Sequence, residues 1–248
     1  RSGQYLAYAV NADASTKMTI QDQDGRKLSI TEIPEGDVRS VRFNRDETQL
    51  AFTVVSDTSP AGVFVADLGT GQARRLTRAL NPQIDERRLV EARVVRFKSY
   101  DGLEIPGILY KPHEASASAP APAIVFVHGG PGDQSRRGYS AVIQHLVNHG
   151  YGVYLINNRG SSGYGKTFFH LDDKRHRDVD LKGVVASKAY LQSLDWVDDS
   201  KIGIMGGSYG GYMVAAALAF APQEFDVGVN IFGVTNWVRT LQSIPPYW

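Results

Sequence analysis

The sequence predicts a two-part fold, with antiparallel β-structure in residues 1–80 and a mostly parallel α/β sheet in residues 93–248. Three observations support this prediction. The first eighty residues contain a weak internal repeat of short alternating strands. From residue 124 onward, apolar strands alternate with amphipathic helices. One strand and one helix meet at a turn in which four glycines surround a single serine. These patterns indicate two domains of different architecture in one chain.

The repeat consists of strand pairs joined by glycine turns. The segment GQYLAYAVNAD (residues 3–13) aligns with TQLAFTVVSD (residues 48–57), and a second strand follows each. A spacing of about 45 residues is typical of β-propeller blades. Because a propeller closes with about four to eight blades, we expect these to be the last blades of a propeller that begins before residue 1. A small antiparallel β-domain is the alternative.

Pro82 and the charged residues after it predict a linker over residues 81–92. Asp101-Gly102 then predicts a two-residue β-hairpin turn between two apolar segments. Further strands are predicted within residues 123–130, 152–160, 201–206 and 226–233, and helices within residues 138–150 and 181–194 and after Ser208. Continuous Val/Ile strands joined by helices predict a parallel sheet covered on both faces.

The glycine-rich turn matches G-x-S-x-G at residues 206–210. This is the pattern of a nucleophile elbow, in which a strained serine stands at the tip of a sharp strand-to-helix turn. The small residues Gly206 and Gly210 allow the strand and the helix to pass closely. The helix N-terminus directs N–H groups toward a developing oxyanion. Ser208 is therefore the predicted nucleophile, and a helix N-cap serine without chemistry is the alternative.

A second motif, HGGPG (residues 128–132), follows the first core strand. Hydrolases with such an elbow carry at this place the loop that donates the other oxyanion-hole N–H. A plain Gly-Pro turn is the alternative reading of these residues.

Composition argues against several other functions. The formal net charge of +1 gives no reason to expect a nucleic acid or an anionic membrane as partner. The absence of cysteine excludes a disulfide, a thiolate metal site and a cysteine nucleophile. The longest apolar helical run, residues 213–221, is about half of what spans a bilayer.

Two other clusters of polar residues are candidate sites. His145 and His149 lie four apart on one predicted helix, but the pattern lacks the glutamate of H-E-x-x-H and a third ligand. We therefore expect no metal and no cofactor. The charged residues 172–180 are expected to form a solvated surface loop, with a recognition patch as the alternative.

Several segments together resemble the prolyl oligopeptidase family of serine peptidases, and most closely its acylaminoacyl-peptidase and dipeptidyl-peptidase-like branch. They are HGGPG, NRGSSGYG (158–165), DVDLKG (178–183), IGIMGGSYGGYM (202–213) and TNWVRTLQSIPPYW (235–248). The resemblance covers essentially the whole chain. It implies an α/β-hydrolase core preceded by a β-propeller, and cleavage of short peptides. It also implies that Ser208 is the nucleophile and that Tyr209 and Gly130 supply the two oxyanion-hole N–H groups.

One feature departs from the family pattern. The catalytic triad of α/β-hydrolases follows the chain order Ser, Asp, His, but every histidine of this chain precedes Ser208: His113, His128, His145, His149, His170 and His176. We therefore expect an incomplete hydrolase core, truncated before the Asp and His of the triad, with the general base in another polypeptide or in further sequence of the same peptidase. A serine without its base is a poor nucleophile, so the isolated chain is expected to be inactive.

The sequence thus predicts a serine peptidase acting on short peptides. A carboxylesterase and a catalytically inactive interaction protein are the alternatives. An oligomer is compatible with the sequence, and the compartment and the cleavage preference are not assigned.

Overall fold

The computed structural model describes residues 3–245 and divides the chain into two compact units. The first unit contains residues 1–92 and 136–145, and the second contains residues 93–135 and 146–248. The described residues exclude Arg1 and Ser2, at the start of the predicted blade segment, and residues 246–248, at the end of the predicted catalytic domain. Each unit has its own hydrophobic core. The domain boundaries given above remain predictions.

Two antiparallel sheets form the first unit. The three-stranded sheet contains β1 (Tyr5–Ala12), β2 (Ser15–Asp22) and β3 (Lys27–Leu28), and the four-stranded sheet contains β4 (Asp37–Phe43), β5 (Gln49–Ser56), β6 (Ser59–Asp67) and β7 (Ala73–Arg75). Burial alternates along β5, where Leu50, Phe52 and Val54 face the core. Such meanders fit the predicted blades and a small β-domain equally well, so the blade assignment stays a prediction.

Charged hydrogen bonds hold residues 136–145 within the first unit. Arg136 Nη2 donates to Asp37 Oδ1 at 2.7 Å, and Arg137 Nε donates to Asp57 Oδ2 at 2.9 Å. Both aspartates are buried. Burial by itself would raise the pKa of Asp37, but hydrogen bonds led by the one from Arg136 outweigh it and hold the pKa at about 2. The sequence patterns did not predict this association.

The second unit is built on a six-stranded mixed sheet. Its strands are β8 (Arg93–Lys98), β9 (Glu104–Tyr110), β10 (Ala121–Val127), β11 (Gly152–Ile156), β12 (Val197–Gly207) and β13 (Gly228–Ile231), in the order β13-β12-β10-β11-β9-β8. The four strands from β10 to β13 pair in parallel, as the alternation of strands and helices predicts. A hairpin at Asp101-Gly102 is confirmed, because β8 and β9 pair antiparallel on either side of it. Its turn is longer than the predicted two residues, since the Ser99 N–H donates to the Leu103 carbonyl across it.

The helices are α1 (Ala141–Asn148), α2 (Lys166–Phe169), α3 (Leu181–Gln192), α4 (Tyr209–Phe220) and α5 (Trp237–Ser243), with a 3₁₀ turn at Glu86–Arg88 and a π-helical turn at His176–Asp180. The predictions of α1, α3 and α4 are confirmed, whereas α2, α5 and the π-helical turn were not predicted. Gly150, at φ +86°, follows the end of α1 as a helix cap requires. Within residues 3–245, none of these helices has the length and apolar content needed to traverse a bilayer.

A tyrosine whose hydroxyl makes no hydrogen bond to the described residues lies in the core of the second unit. The Tyr154 ring packs on Gly107, where a Cβ atom would come within 2.4 Å of it. Its hydroxyl is buried and has no hydrogen-bond partner among the described residues. Burial raises the pKa of Tyr154, so the hydroxyl stays neutral.

Replacing Tyr154 by Phe tests this packing. Because the hydroxyl is buried without a partner, Tyr154→Phe is expected to leave the free energy of unfolding unchanged or to raise it by about 1 kcal/mol. Urea unfolding measures the difference. Ile156→Val, at a fully buried site on the same strand, is expected to cost about 1 kcal/mol and shows that the assay resolves core changes. A loss as large for Tyr154→Phe would contradict the prediction.

Candidate active site around Ser208

Ser208 lies between the end of β12 and the start of α4, in an unusual backbone conformation. Its φ is 54° and its ψ is −117°, a region that residues other than glycine rarely adopt. Its N–H donates to the Ile231 carbonyl on β13 at 3.1 Å, which fixes the turn to the neighbouring strand. The side chain is exposed and makes no capping hydrogen bond to α4. Ser208 therefore lacks the hydrogen bond by which an N-cap serine stabilises a helix.

The glycines on either side of Ser208 allow backbones to approach one another. A Cβ atom on Gly206 would lie 2.5 Å from the carbonyl carbon of Gly210. One on Gly210 would lie only 2.0 Å from the carbonyl oxygen of Val127 at the end of β10. Gly207 differs, since the nearest atom to its Cβ would be 3.8 Å away. Gly206 and Gly210 are thus required by contact, in agreement with the close passage predicted at those two positions.

The loop of residues 128–132 emerges at the same edge of the sheet. In the parallel register of β10 and β12, Val127 is opposite Gly206, so the loop and Ser208 leave from adjacent carboxyl ends. A Cβ atom on Gly129 would lie 3.5 Å from Ser208 Cβ and 3.9 Å from Ser208 Oγ. Gly130 has a φ of +110°, which only glycine adopts easily. The structure therefore brings the two predicted motifs together.

The side chain of His128 holds this loop through hydrogen bonds. Its buried ring is 2.7 Å from the Gly129 carbonyl oxygen at Nδ1 and 2.8 Å from Ser161 Oγ at Nε2. A carbonyl only accepts, so Nδ1 carries a proton and donates. Burial lowers the pKa of His128. Its Nε2 is within hydrogen-bond distance of Ser161 Oγ, which donates its own proton to the Asn158 carbonyl at 2.6 Å. Both ring nitrogens are engaged in holding loops.

The hydrogen bond from His128 also orients the next amide. The Gly129 carbonyl and the Gly130 N–H belong to one planar trans peptide, in which they point in opposite directions. Because Nδ1 holds the carbonyl, the direction of the Gly130 N–H is fixed as well.

Tyr209 directs its side chain into the core. The ring is 2% exposed, and its hydroxyl donates to a carboxylate oxygen of Asp180. Burial, reinforced by the charge of Asp180, raises the pKa of Tyr209, so the hydroxyl remains protonated. The other Asp180 oxygen accepts from the Leu181 N–H at 2.8 Å, at the start of α3. Asp180 thus links the beginning of α3 to the beginning of α4.

The prediction that residues 172–180 form a solvated loop is wrong at both ends of the segment. Asp172 and Asp180 are buried, at 2% and 0% exposure, whereas residues 173–175 are exposed. Asp180 is buried with a hydrogen bond from Tyr209, and the Asp172 carboxylate lies against Gly160. Asp180 precedes a helical pattern, which is a local N-cap signal, but its partner lies 29 residues further along.

A family model describes the region that contains this turn. Residues 137–247 match the model of the prolyl oligopeptidase family. The chain belongs to the prolyl oligopeptidase family.

This prolyl oligopeptidase family chain is also similar to individual proteins. It is 32% identical over 227 residues to dipeptidyl aminopeptidase BIII of Pseudoxanthomonas mexicana. This match covers 87% of the chain and 32% of that relative. The fold matches a puromycin-hydrolyzing peptidase of Mycobacterium tuberculosis with a TM-score of 0.88 at 22% identity, over 98% of the chain and 38% of that structure. It matches the Pyrococcus horikoshii acylaminoacyl peptidase with a TM-score of 0.80 at 27% identity, over the same shares. The chain therefore spans about a third of the length of these relatives.

Alanine at Gly210 tests the close approach at the turn. Because the new Cβ would meet the Val127 carbonyl, Gly210→Ala is expected to lower the free energy of unfolding by about 1–3 kcal/mol. Gly207→Ala is the matched control and is expected to stay within about 0.5 kcal/mol, because its Cβ has room. Urea unfolding of both variants decides the matter, and equal losses would contradict the assignment of the contact.

The buried His128 predicts a pH dependence of stability. Since its folded pKa lies below the usual value of 6.5, the unfolded chain binds more protons below about pH 6.5, and stability falls as the pH drops from there toward the folded pKa. His128→Asn removes this titration and keeps a donor for the Gly129 carbonyl. Urea unfolding at about pH 7.5 and about pH 5.5 is expected to show a larger loss in the wild type than in the variant. Identical losses would mean that His128 does not titrate differently on folding.

Proposed function

We propose that this chain carries the nucleophile of a serine peptidase, which hydrolyses short peptides through an acyl-enzyme on Ser208. The observation that carries the proposal is an exposed serine in strained backbone at the start of a helix, next to the glycine loop at residues 128–132. Membership of a peptidase family gives this arrangement its chemical meaning.

In the proposed reaction, Ser208 Oγ attacks the carbonyl carbon of the scissile peptide bond as its proton passes to a general base. The negative charge that develops on the carbonyl oxygen is stabilised by the backbone N–H groups of Tyr209 and Gly130, which form the oxyanion hole. The intermediate collapses to an ester on Ser208 and releases the amine, protonated by the base. Water then attacks the ester as its proton passes to the base, and Ser208 leaves as the hydroxyl, which the base protonates.

Three features support these roles. Residues 206–210 have the contacts expected of a nucleophile elbow, with Gly206 and Gly210 in the close-approach positions. The positive end of α4 begins directly after Ser208 and favours an anion there. The hydrogen bond from His128 to Gly129 holds the Gly130 amide in one orientation before substrate arrives.

We place the general base outside this chain. Among the histidines that precede Ser208, His128 has both ring nitrogens engaged, and the chain order of the triad puts its histidine after the serine. The isolated chain is therefore expected to be inactive. We further propose that the antiparallel sheets of the first unit are the last blades of a β-propeller, which would restrict the substrates to short peptides.

Labelling with a fluorophosphonate, which reacts only with activated serines, tests the nucleophile. In the natural protein that carries this chain, intact mass and peptide mapping are expected to find one adduct at Ser208 and none in Ser208→Ala. Ser193→Ala removes an exposed serine with ordinary helical backbone and is expected to leave labelling unchanged. The isolated chain is expected to remain unlabelled.

An unlabelled natural protein would overturn the proposal and favour an interaction protein whose hydrolase half has lost its chemistry. Where labelling occurs, turnover of matched ester and amide substrates separates the two hydrolase classes. A peptidase cleaves both, whereas turnover of the ester alone would identify a carboxylesterase and contradict the peptidase assignment.

A further inference from the structure

Tyr209 serves two separate purposes through its backbone and its side chain. Its backbone shares a peptide bond with Ser208 and opens α4. Its side chain runs into the core, where the ring contacts Tyr212 and Trp237 at centroid distances of 5.6 Å and 6.2 Å. The hydroxyl at the far end donates to Asp180. A contact made deep in the core is therefore only one side chain away from the proposed nucleophile.

The backbone at Ser208 needs such support. Residues held in sparsely populated φ/ψ regions are strained and persist only where the surroundings determine their conformation. On the strand side, the Ser208 N–H is held by the Ile231 carbonyl. On the helix side, the Tyr209 hydroxyl is held by Asp180. The strained residue is thus anchored on both sides.

Asp180 is held by hydrogen bonds at both carboxylate oxygens. It is fully buried, and the carboxylate that receives the Tyr209 hydroxyl also accepts the Leu181 N–H at the start of the twelve-residue helix α3. Movement of this carboxylate would require α3 to move as well. The carboxylate is therefore a fixed point against which the first residue of α4 is held.

We infer that Asp180 is a positioning residue for the proposed reaction. Acting through the Tyr209 hydroxyl, it fixes the peptide between Ser208 and Tyr209, so that the Tyr209 N–H faces the oxyanion as it forms. This inference rests on the proposed function. Its kinetic consequence follows from the stage at which the N–H acts: an oxyanion donor stabilises the transition state and contributes little to substrate binding.

Tyr209→Phe in the natural protein is the first test, because it removes one hydroxyl and keeps the ring. The expected result is a fall in kcat of about tenfold with KM changed by less than about twofold, a smaller loss than deletion of an oxyanion donor causes. Tyr190→Phe, which removes a half-buried hydroxyl from α3, is the matched control and is expected to leave both constants unchanged.

Asp180 is tested by two variants of different chemistry. Asp180→Asn retains the link in reversed polarity, since its amide donates to the Tyr209 oxygen while its carbonyl still accepts the Leu181 N–H. Its kcat is expected to stay within about threefold of the wild type. Asp180→Ala breaks the link, and its kcat is expected to match that of Tyr209→Phe. The double variant Tyr209→Phe/Asp180→Ala is expected to be no slower than either single variant, because the two residues act as one unit.

The outcomes separate the inference from the proposed function. A wild-type kcat in Tyr209→Phe, additive losses in the double variant, or an Asp180→Asn variant as slow as Asp180→Ala would each overturn the inference. Thermal unfolding of every variant shows whether it is folded at the assay temperature, so that only folded protein is compared. Absence of Ser208-dependent turnover in the wild type would instead contradict the proposed function.

Discussion

The contact between Gly210 and the carbonyl oxygen of Val127 is the constraint on which the rest of the site depends. It brings α4 so close to the end of β10 that only a hydrogen atom fits between the two backbones. The turn from β12 into α4 must therefore be completed in very few residues, and Ser208 takes up the sharpest change of direction. The same contact sets the distance between Ser208 and the glycine loop after β10. One steric fact thus accounts for the strain at the serine and for its neighbours.

Much of the second unit could be predicted from the sequence, because its signals are local. The alternation of Val/Ile strands with amphipathic helices predicted four parallel strands, and Asp101-Gly102 predicted the hairpin between β8 and β9. The glycines at 206 and 210 predicted where backbones would come into contact. In each case, the residues that carry the signal are also the residues that make the contact.

The parts that could not be predicted depend on contacts between distant segments. Asp180 lies in a charged run whose composition is typical of a surface loop, and only the approach of Tyr209 explains its burial. His128 holds the Gly129 carbonyl with one ring nitrogen, and its other ring nitrogen contacts Ser161, 33 residues away. The pairing of Arg136 with Asp37 spans 99 residues. Single-sequence patterns carry no information on such pairings.

The arginines at 136 and 137 have a consequence for dissecting this protein into parts. They belong to the first unit in space, although 43 residues of the second unit, 93–135, precede them in the chain. A fragment cut at residue 92 would keep the buried carboxylates of Asp37 and Asp57 but lose these two guanidinium groups. Asp37 would keep its ion pair with Arg39. Asp57 would lose the Arg137 cation, and removing one partner of a buried ion pair is among the most destabilising changes in a folded protein. The first unit therefore cannot be isolated by a single cut in the chain. An autonomous version of it would have to include residues 136–145 as well as residues 1–92.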